Sequence, residues 1–229
     1  MNAKARVSIK GLRNLPVRQK GEKRVYLLLN HATTYDIVAL MHVAKNPIAI
    51  LMDKGAFAFP VIGSILKRAG FIPLDKGNSK PAVEDCIDTV NSGVPLLISL
   101  HEGNSTLGQR LQPRTGAIRI AHMTGAKLFP IFLKVENESI RHLSFRGVDS
   151  IEYPYTTFRN TFLFIDFLPP VDLSALPPDP IRNDFFNIAS LMDGKAKAIE
   201  TYYDSFLENN KERLAPLRRK GGTQQRIIF

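Results

Sequence analysis

Residues 25–36 read VYLLLNHATTYD, an unbroken apolar run that ends in a cluster of polar side chains. The run from Val25 to Leu29 is short and uninterrupted, which suits a buried strand. Asn30 and His31 leave its end, and Asp36 follows five residues after His31. Thr33 with Asp36 forms a Thr-x-x-Asp helix start, so the spacing predicts a helix over 34–44. Five residues turn through about 500° on an ideal helix, which puts His31 and Asp36 on different faces. The two side chains can meet only when His31 precedes the helix and points back over its first turn. Two readings stay open at this point. Asp36 is a capping carboxylate and His31 a strand-end histidine, or His31 is a general base that Asp36 orients.

Outward from this stretch, short apolar runs alternate with amphipathic ones, which predicts a layered α/β fold. VSIKGL (7–12), PIAILM (47–52), FIPL (71–74), PLLISL (95–100), KLFPIFLKV (127–135) and TFLFIDFL (161–168) read as strands. SIRHLSFRG (139–147) reads as a hairpin partner between the last two. Helices are expected over 59–70, closed by Gly70, and over 82–91, 116–123 and 182–210. The proline-rich stretch FLPPVDLSALPPDP (167–180) must be irregular. No internal repeat stands out, and a single domain over 1–229 is expected, with its core over 7–174 and a C-terminal helix and basic tail over 182–229.

Charge narrows the partners. Lysine and arginine total 31 against 21 acids, for a net charge of +10. Lys4, Arg6, Lys10, Arg13, Arg18, Lys20, Lys23 and Arg24 crowd the N-terminal end against Glu22 alone, and Lys211, Arg213, Arg218, Arg219, Lys220 and Arg226 crowd the other. Basic ends suit a polyanion. No RNA-binding aromatic signature accompanies them, so an anionic membrane surface is preferred to nucleic acid. No run approaches the roughly 18 to 20 apolar residues that span a bilayer, and the first residues lack a signal-peptide core. The expectation is a cytoplasmic chain held peripherally at the inner face of a membrane. Cys86 is the one cysteine. It allows no disulfide within the chain and has no neighbour for a metal site, so it reads as a passive helix residue.

Further polar clusters follow other strands, where open α/β sheets present their ligands. GFIPLDKG (70–77) sets Lys76 beside a glycine, free to reach an anion. HEGNST (101–106) sets Glu102 before Gly103 on a tight turn, and Pro130 interrupts a later strand. No metal motif, phosphate-cradling Gly-Lys-Ser/Thr loop or Gly-x-Ser-x-Gly elbow is present.

In order, Asn-His-x4-Asp, Gly-Phe-Ile-x-x-Asp-Lys, Glu-Gly and a strand with a central proline resemble the motifs of the glycerolipid acyltransferase family. More narrowly they resemble those of the lysophosphatidic acid acyltransferases, over about Val7 to Ser174. The flanks VSIKGLRNLP, FPVIGSILKRAGFIPLD and PPVDLS fit as well. The resemblance implies a central mixed β-sheet flanked by helices. It implies His31 as general base, Asp36 as its orienting partner, and Lys76 where the family usually has a phosphate-binding arginine. Glu102 and Gly103 match the family's Glu-Gly, with Asn104 beside them. The third motif departs from the usual Phe-Pro-Glu-Gly-Thr-Arg-Ser: it reads Leu100, His101, Glu102, Gly103, Asn104, Ser105, Thr106, without the arginine. Arg110 or Arg114, further along the loop, is a candidate substitute.

The implied reaction moves a fatty acyl group from acyl-CoA or acyl carrier protein to a lysophospholipid hydroxyl, 1-acylglycerol-3-phosphate first, with no metal or bound cofactor. GAFAFPVIGSIL (55–66) is the candidate acyl groove. A different acceptor, such as another lyso-lipid or glycerol-3-phosphate, and a non-catalytic lipid-binding relative are the alternatives.

Overall fold

The computed structural model of the chain describes residues 5–31, 40, 47–58, 60–101, 112–146, 152–158, 161–177 and 179–219. Its strands are β1 (Ala5–Lys10), β2 (Arg24–Leu28), β3 (Ala49–Asp53), β4 (Ile72–Leu74), β5 (Leu96–Ser99), β6 (Lys127–Val135), β7 (Ile140–Arg146), β8 (Glu152–Phe158) and β9 (Thr161–Phe167). Helices are α1 (Pro60–Arg68), α2 (Lys80–Asn91), α3 (Gly116–Thr124), α4 (Arg182–Asn209) and α5 (Lys211–Arg219). Of the segment expected to form a helix over 34–44, only Leu40 is described, and it is helical and buried.

Seven strands form one sheet in the order β1-β9-β6-β2-β5-β3-β4. From β6 to β4 all neighbours are parallel, β9 runs antiparallel to β6, and β1 runs parallel to β9. The sheet is therefore mixed, with helices against it, as expected. Every residue of β2 is buried. Its side chains alternate between faces, as strand geometry requires. Val25, Leu27 and Leu29 pack with Val90 of α2, Ile118 of α3 and Met192 of α4. Tyr26 and Leu28 pack with Leu40, Phe129 and Ile131 on the opposite face.

Pro130 sits in β6 beside Leu27 of β2, a place where a missing N–H normally breaks a ladder. Its carbonyl accepts from Leu168 N (3.0 Å), on the β9 side, while the next carbonyl, of Ile131, accepts from Leu29 N (2.8 Å) on the β2 side. A residue's N–H and C=O point the same way in a strand, so the absent donor faces the point where β9 ends. The bonds to β2 are untouched. Lys134, on the same strand, is buried and reaches Asp204 (2.8 Å) and Glu200 (3.4 Å), which ties α4 to β6.

The stretch 139–147 departs from expectation. Its strand β7 pairs with β8, which the sequence reading did not foresee, and the two form a separate ribbon outside the main sheet. Pro154 within β8 hid that strand, since proline counts against a strand in a propensity reading. The last helix also divides, at Asn210, so that α5 follows α4. Gly70 follows α1 at φ +79°, a left-handed conformation that suits glycine, as expected of the residue that closes this helix.

Several of the N-terminal cations are engaged within the fold. Arg18 donates to the Glu22 and Gly93 carbonyls, and Lys23 to Asn91 Oδ1 (2.8 Å) and the Thr124 carbonyl (3.1 Å). Arg24 is buried at the start of β2, over the ring of Phe129, with Glu22 Oε2 at 2.6 Å. Burial opposes ionisation of Glu22, but bonds from Arg24, Gln19 and Lys127 outweigh it and bring the carboxyl down to about 2.

Because the folded pKa lies below the unfolded one, this stabilisation is complete above about 4.5 and is lost as pH falls through about 2. Glu22→Gln leaves the Arg24 guanidinium buried without its partner, and a loss of roughly 3 kcal/mol in urea unfolding is expected at pH 7. The difference from the parent should shrink steadily below pH 4.5. Cys86 is buried in α2, and that burial, with Asp85 adding to it, pushes its thiol up to about 12. A thiol reagent at pH 8 should leave the folded protein unmodified and label it only after denaturation.

Candidate active site

Parallel strands open their C-terminal ends on one edge, and the register shows which residues meet there. Leu28 pairs with Ser99, Ile50 with Leu97 and Asp53 with Leu74. Leu100 N also donates to Leu28 O (2.8 Å), which continues the β5 ladder past the strand. His31, His101 and Lys76 thus leave the same edge, from β2, β5 and β4. The β2 and β4 backbones stand three strand spacings apart, about 14 Å. Lys76 and His31 can serve one substrate only if it bridges that gap with help from the lysine's length.

His31 is half-buried. Asn30 before it is buried and donates from Nδ2 to the Leu133 carbonyl of β6 (3.0 Å), which fixes the direction in which the chain leaves β2. Asp36 lies outside the described residues, as do Glu102, Gly103, Asn104 and Arg110. Arg114 is described: its side chain is exposed, and its backbone N–H donates to Leu100 O (2.7 Å). The segment after the third motif therefore returns to the end of β5.

Lys76 does not stand alone. Its Nζ lies 3.0 Å from Asp53 Oδ2 at the end of β3, and Lys54 Nζ lies 2.6 Å from Asp75 Oδ2 at the end of β4. Each aspartate also accepts from the glycine N–H two residues on, Gly55 (2.8 Å) and Gly77 (2.9 Å). The Gly55 N–H and then Lys76 hold the Asp53 carboxyl below its ordinary value, and Lys54 and then the Gly77 N–H do the same for Asp75. The result is two crossed ion pairs, each more than half exposed at its lysine. Sequence reasoning missed Lys54. The signal was there: Asp-Lys-Gly occurs at 53–55 and again at 75–77, each at the end of a strand.

The wall beside this edge is α1, where the acyl groove was expected. A Cβ on Gly63 would stand 2.1 Å from the Phe57 carbonyl oxygen, so only glycine lets α1 pack this closely on the 54–58 turn. Ile65 of α1 is exposed beside Lys67 and Arg68. His101 Nε2 lies 3.1 Å from Asp193 Oδ1 of α4, a contact between residues too distant in sequence to be foreseen. Among the described residues no group of three His, Cys, Asp or Glu could hold a metal ion, and no helix is long and apolar enough to cross a membrane.

The family model described as Acyltransferase matches residues 6–134, more than half of the chain and all the candidate site residues. The 1-acyl-sn-glycerol-3-phosphate acyltransferase of Escherichia coli K12 is 23% identical over 177 residues, covering 76% of this chain and 67% of the relative. The chloroplastic 1-acyl-sn-glycerol-3-phosphate acyltransferase BAT2 of Brassica napus is 29% identical over 132 residues, 56% of this chain and 37% of its own length. The crystal structure of the 1-acyl-sn-glycerophosphate (LPA) acyltransferase PlsC from Thermotoga maritima superposes with a TM-score of 0.62. At 15% identity, covering 86% of this chain and 73% of that one, it shares the fold. The strand-end motifs and the family match agree: the chain belongs to the Acyltransferase family, as a glycerolipid O-acyltransferase that resembles the 1-acyl-sn-glycerol-3-phosphate acyltransferases.

Proposed function

We propose that the chain transfers a fatty acyl group from acyl-CoA or acyl carrier protein to the free hydroxyl of 1-acylglycerol-3-phosphate, giving phosphatidic acid. The observation that carries this reading is His31 at the end of the central strand, on the edge that also bears Lys54 and Lys76. Support for the acceptor comes from the names of the relatives. His31 takes the proton of the acceptor hydroxyl as its oxygen attacks the thioester carbonyl. Asp36 holds the other imidazole nitrogen and favours the imidazolium. The oxyanion of the tetrahedral intermediate takes hydrogen bonds from N–H groups of the site. Collapse breaks the C–S bond, and the proton on His31 passes to the leaving thiolate. The transfer is direct and needs neither metal nor bound cofactor.

Lys76 and Lys54 supply the cations for the acceptor phosphate in this reading, with Arg114 as a further phosphate ligand and Glu102, Gly103 and Asn104 as further substrate-binding residues. A lysine binds phosphate as a point charge and lacks the two-pronged fork of arginine. Here each lysine must also leave an aspartate first. That observation favours one second reading, an acceptor with a different head group. The protein works at the inner face of a membrane, held peripherally by the cations that the fold leaves outside, such as Lys67 and Arg68 beside Ile65.

Thiol release from palmitoyl-CoA, measured with a panel of lyso-lipids, tests the proposal. Acceptor-dependent release is expected, and His31→Ala should lower kcat by about 10²- to 10⁴-fold. Folded protein that binds lipid vesicles but turns over no pair of donor and acceptor would be a lipid-binding relative instead. Lys76→Ala and Lys54→Ala should each raise KM for the phosphate-bearing acceptor about tenfold, with KM for the thioester unchanged. Equal KM values for both variants and the parent would favour the other head group.

A further inference from the structure

The neighbouring parallel strands β3 and β4 both end in Asp-Lys-Gly, at 53–55 and 75–77. Each lysine pairs with the aspartate of the other strand: Lys54 with Asp75 (2.6 Å) and Lys76 with Asp53 (3.0 Å). One side of each pair is fixed. Asp53 and Asp75 each accept through their second oxygen from a glycine N–H, of Gly55 (2.8 Å) and Gly77 (2.9 Å), so they keep their place when a lysine leaves. The lysines end long flexible stems and are more than half exposed. Exposed pairs of this kind contribute little to stability and open readily.

Two cations and two anions alternate at this edge, and the pattern selects by charge. A phosphate monoester brings about two negative charges at neutral pH. Once it draws the lysines to itself, two carboxylates stand beside it without their cations, and like charges oppose it. Both carboxyls lie below their ordinary value, Asp53 through the Gly55 N–H and then Lys76, Asp75 through Lys54 and then the Gly77 N–H. A head group with one anion and one ammonium meets no such opposition. Its anion takes a lysine, its ammonium takes the carboxylate which that lysine gave up, and each pair that breaks is replaced by another. Reach favours the same kind of group. β3 and β4 stand two and three strands from β2 along the sheet. A head group that continues past its anion into an aminoalkyl chain extends further along the edge from His31 than a monoester does.

We propose that Asp53 and Asp75 recognise an ammonium on the acceptor, so that the site takes zwitterionic lyso-lipids as a second class of acceptor. Lys54 and Lys76 bind the anion of the same head group. That anion is a phosphodiester or a carboxylate, and the shared chemistry is its pairing with an amine a few bonds away. This inference rests on the acyl-transfer reading and gives a head group to its second form, the acceptor other than 1-acylglycerol-3-phosphate. It assigns the two aspartates a part beyond holding the lysines.

The test measures thiol release from palmitoyl-CoA with four acceptors of one acyl chain length. They are lysophosphatidylethanolamine, the same lipid with its amine acetylated, a lyso-lipid of an amino acid with free carboxylate and amine, and 1-acylglycerol-3-phosphate. Acetylation removes the ammonium and keeps the phosphodiester, and kcat/KM should fall about tenfold. Asp53→Asn and Asp75→Asn keep the oxygen that accepts from glycine and should melt close to the parent. Each should lower kcat/KM for the amine-bearing acceptors about tenfold. For the acetylated lipid and 1-acylglycerol-3-phosphate each should leave kcat/KM unchanged or raise it, because a freed lysine serves the anion. An effect confined to the phosphodiester or to the carboxylate lipid supports the proposal and identifies the anion. A merely structural pair predicts an equal loss with all four acceptors, and that result overturns the proposal. So does an acetylated lipid that turns over as well as its free amine. If no acceptor turns over, the acyl-transfer reading itself fails, and calorimetric binding of the same four lipids carries the comparison. Tighter binding of the free amine than of its acetylated form, lost in Asp53→Asn, then supports the ammonium site, and equal binding overturns it.

Discussion

Strand β2 is hydrogen-bonded in parallel to β5 on one side and β6 on the other, and both its faces are covered. Parallel pairing forces each connection to cross the sheet and return to the same starting edge. The opposite edge is left free of those crossings, and polar residues can gather there without breaking the core. His31, His101, Asp53 with Lys54, and Asp75 with Lys76 all occupy that edge. The buried Arg24 and the exposed Lys127 both meet the Glu22 carboxylate at the starting edge and brace the strand beginnings there. The bracing and the candidate site are thereby kept a strand's length apart.

Much of the sheet was legible because its signals are local. VYLLLN, PLLISL and KLFPIFLKV are continuous apolar runs, and such runs mark strands buried on both faces. The polar residues that end them marked the candidate site. What escaped was set by contacts between distant segments. Pro154 hid β8, whose partner is the adjacent β7 and not the main sheet. Nothing in the local pattern of 101–106 or 182–210 says that His101 and Asp193 meet. Lys54 is a different case, since its tripeptide repeat could have been read but was not. Asp36, Glu102, Gly103 and Asn104 rest on the motif resemblance.

Pro130 shows how a motif residue and the topology fit together. Its strand changes character at that point, with β2 bonded along its length and β9 ending beside it. A proline is tolerated only on the side where no ladder bond is due. Its place in the fourth motif thus has a backbone explanation that requires no contact with substrate.

The crossed pairs at the ends of β3 and β4 also bear on how an occupant would be chosen. Two lysines and two aspartates sum to zero, so this part of the edge exerts little pull on passing anions. A free phosphate ion has only its own charge with which to part Lys76 from Asp53, and gains little. On the proposed reading, a phosphate tethered to an acyl chain would already be held by the chain, and the tether would raise its local concentration at the lysines. Such an arrangement would disregard the inorganic phosphate of a cell and respond to the same group when it is carried on a lipid.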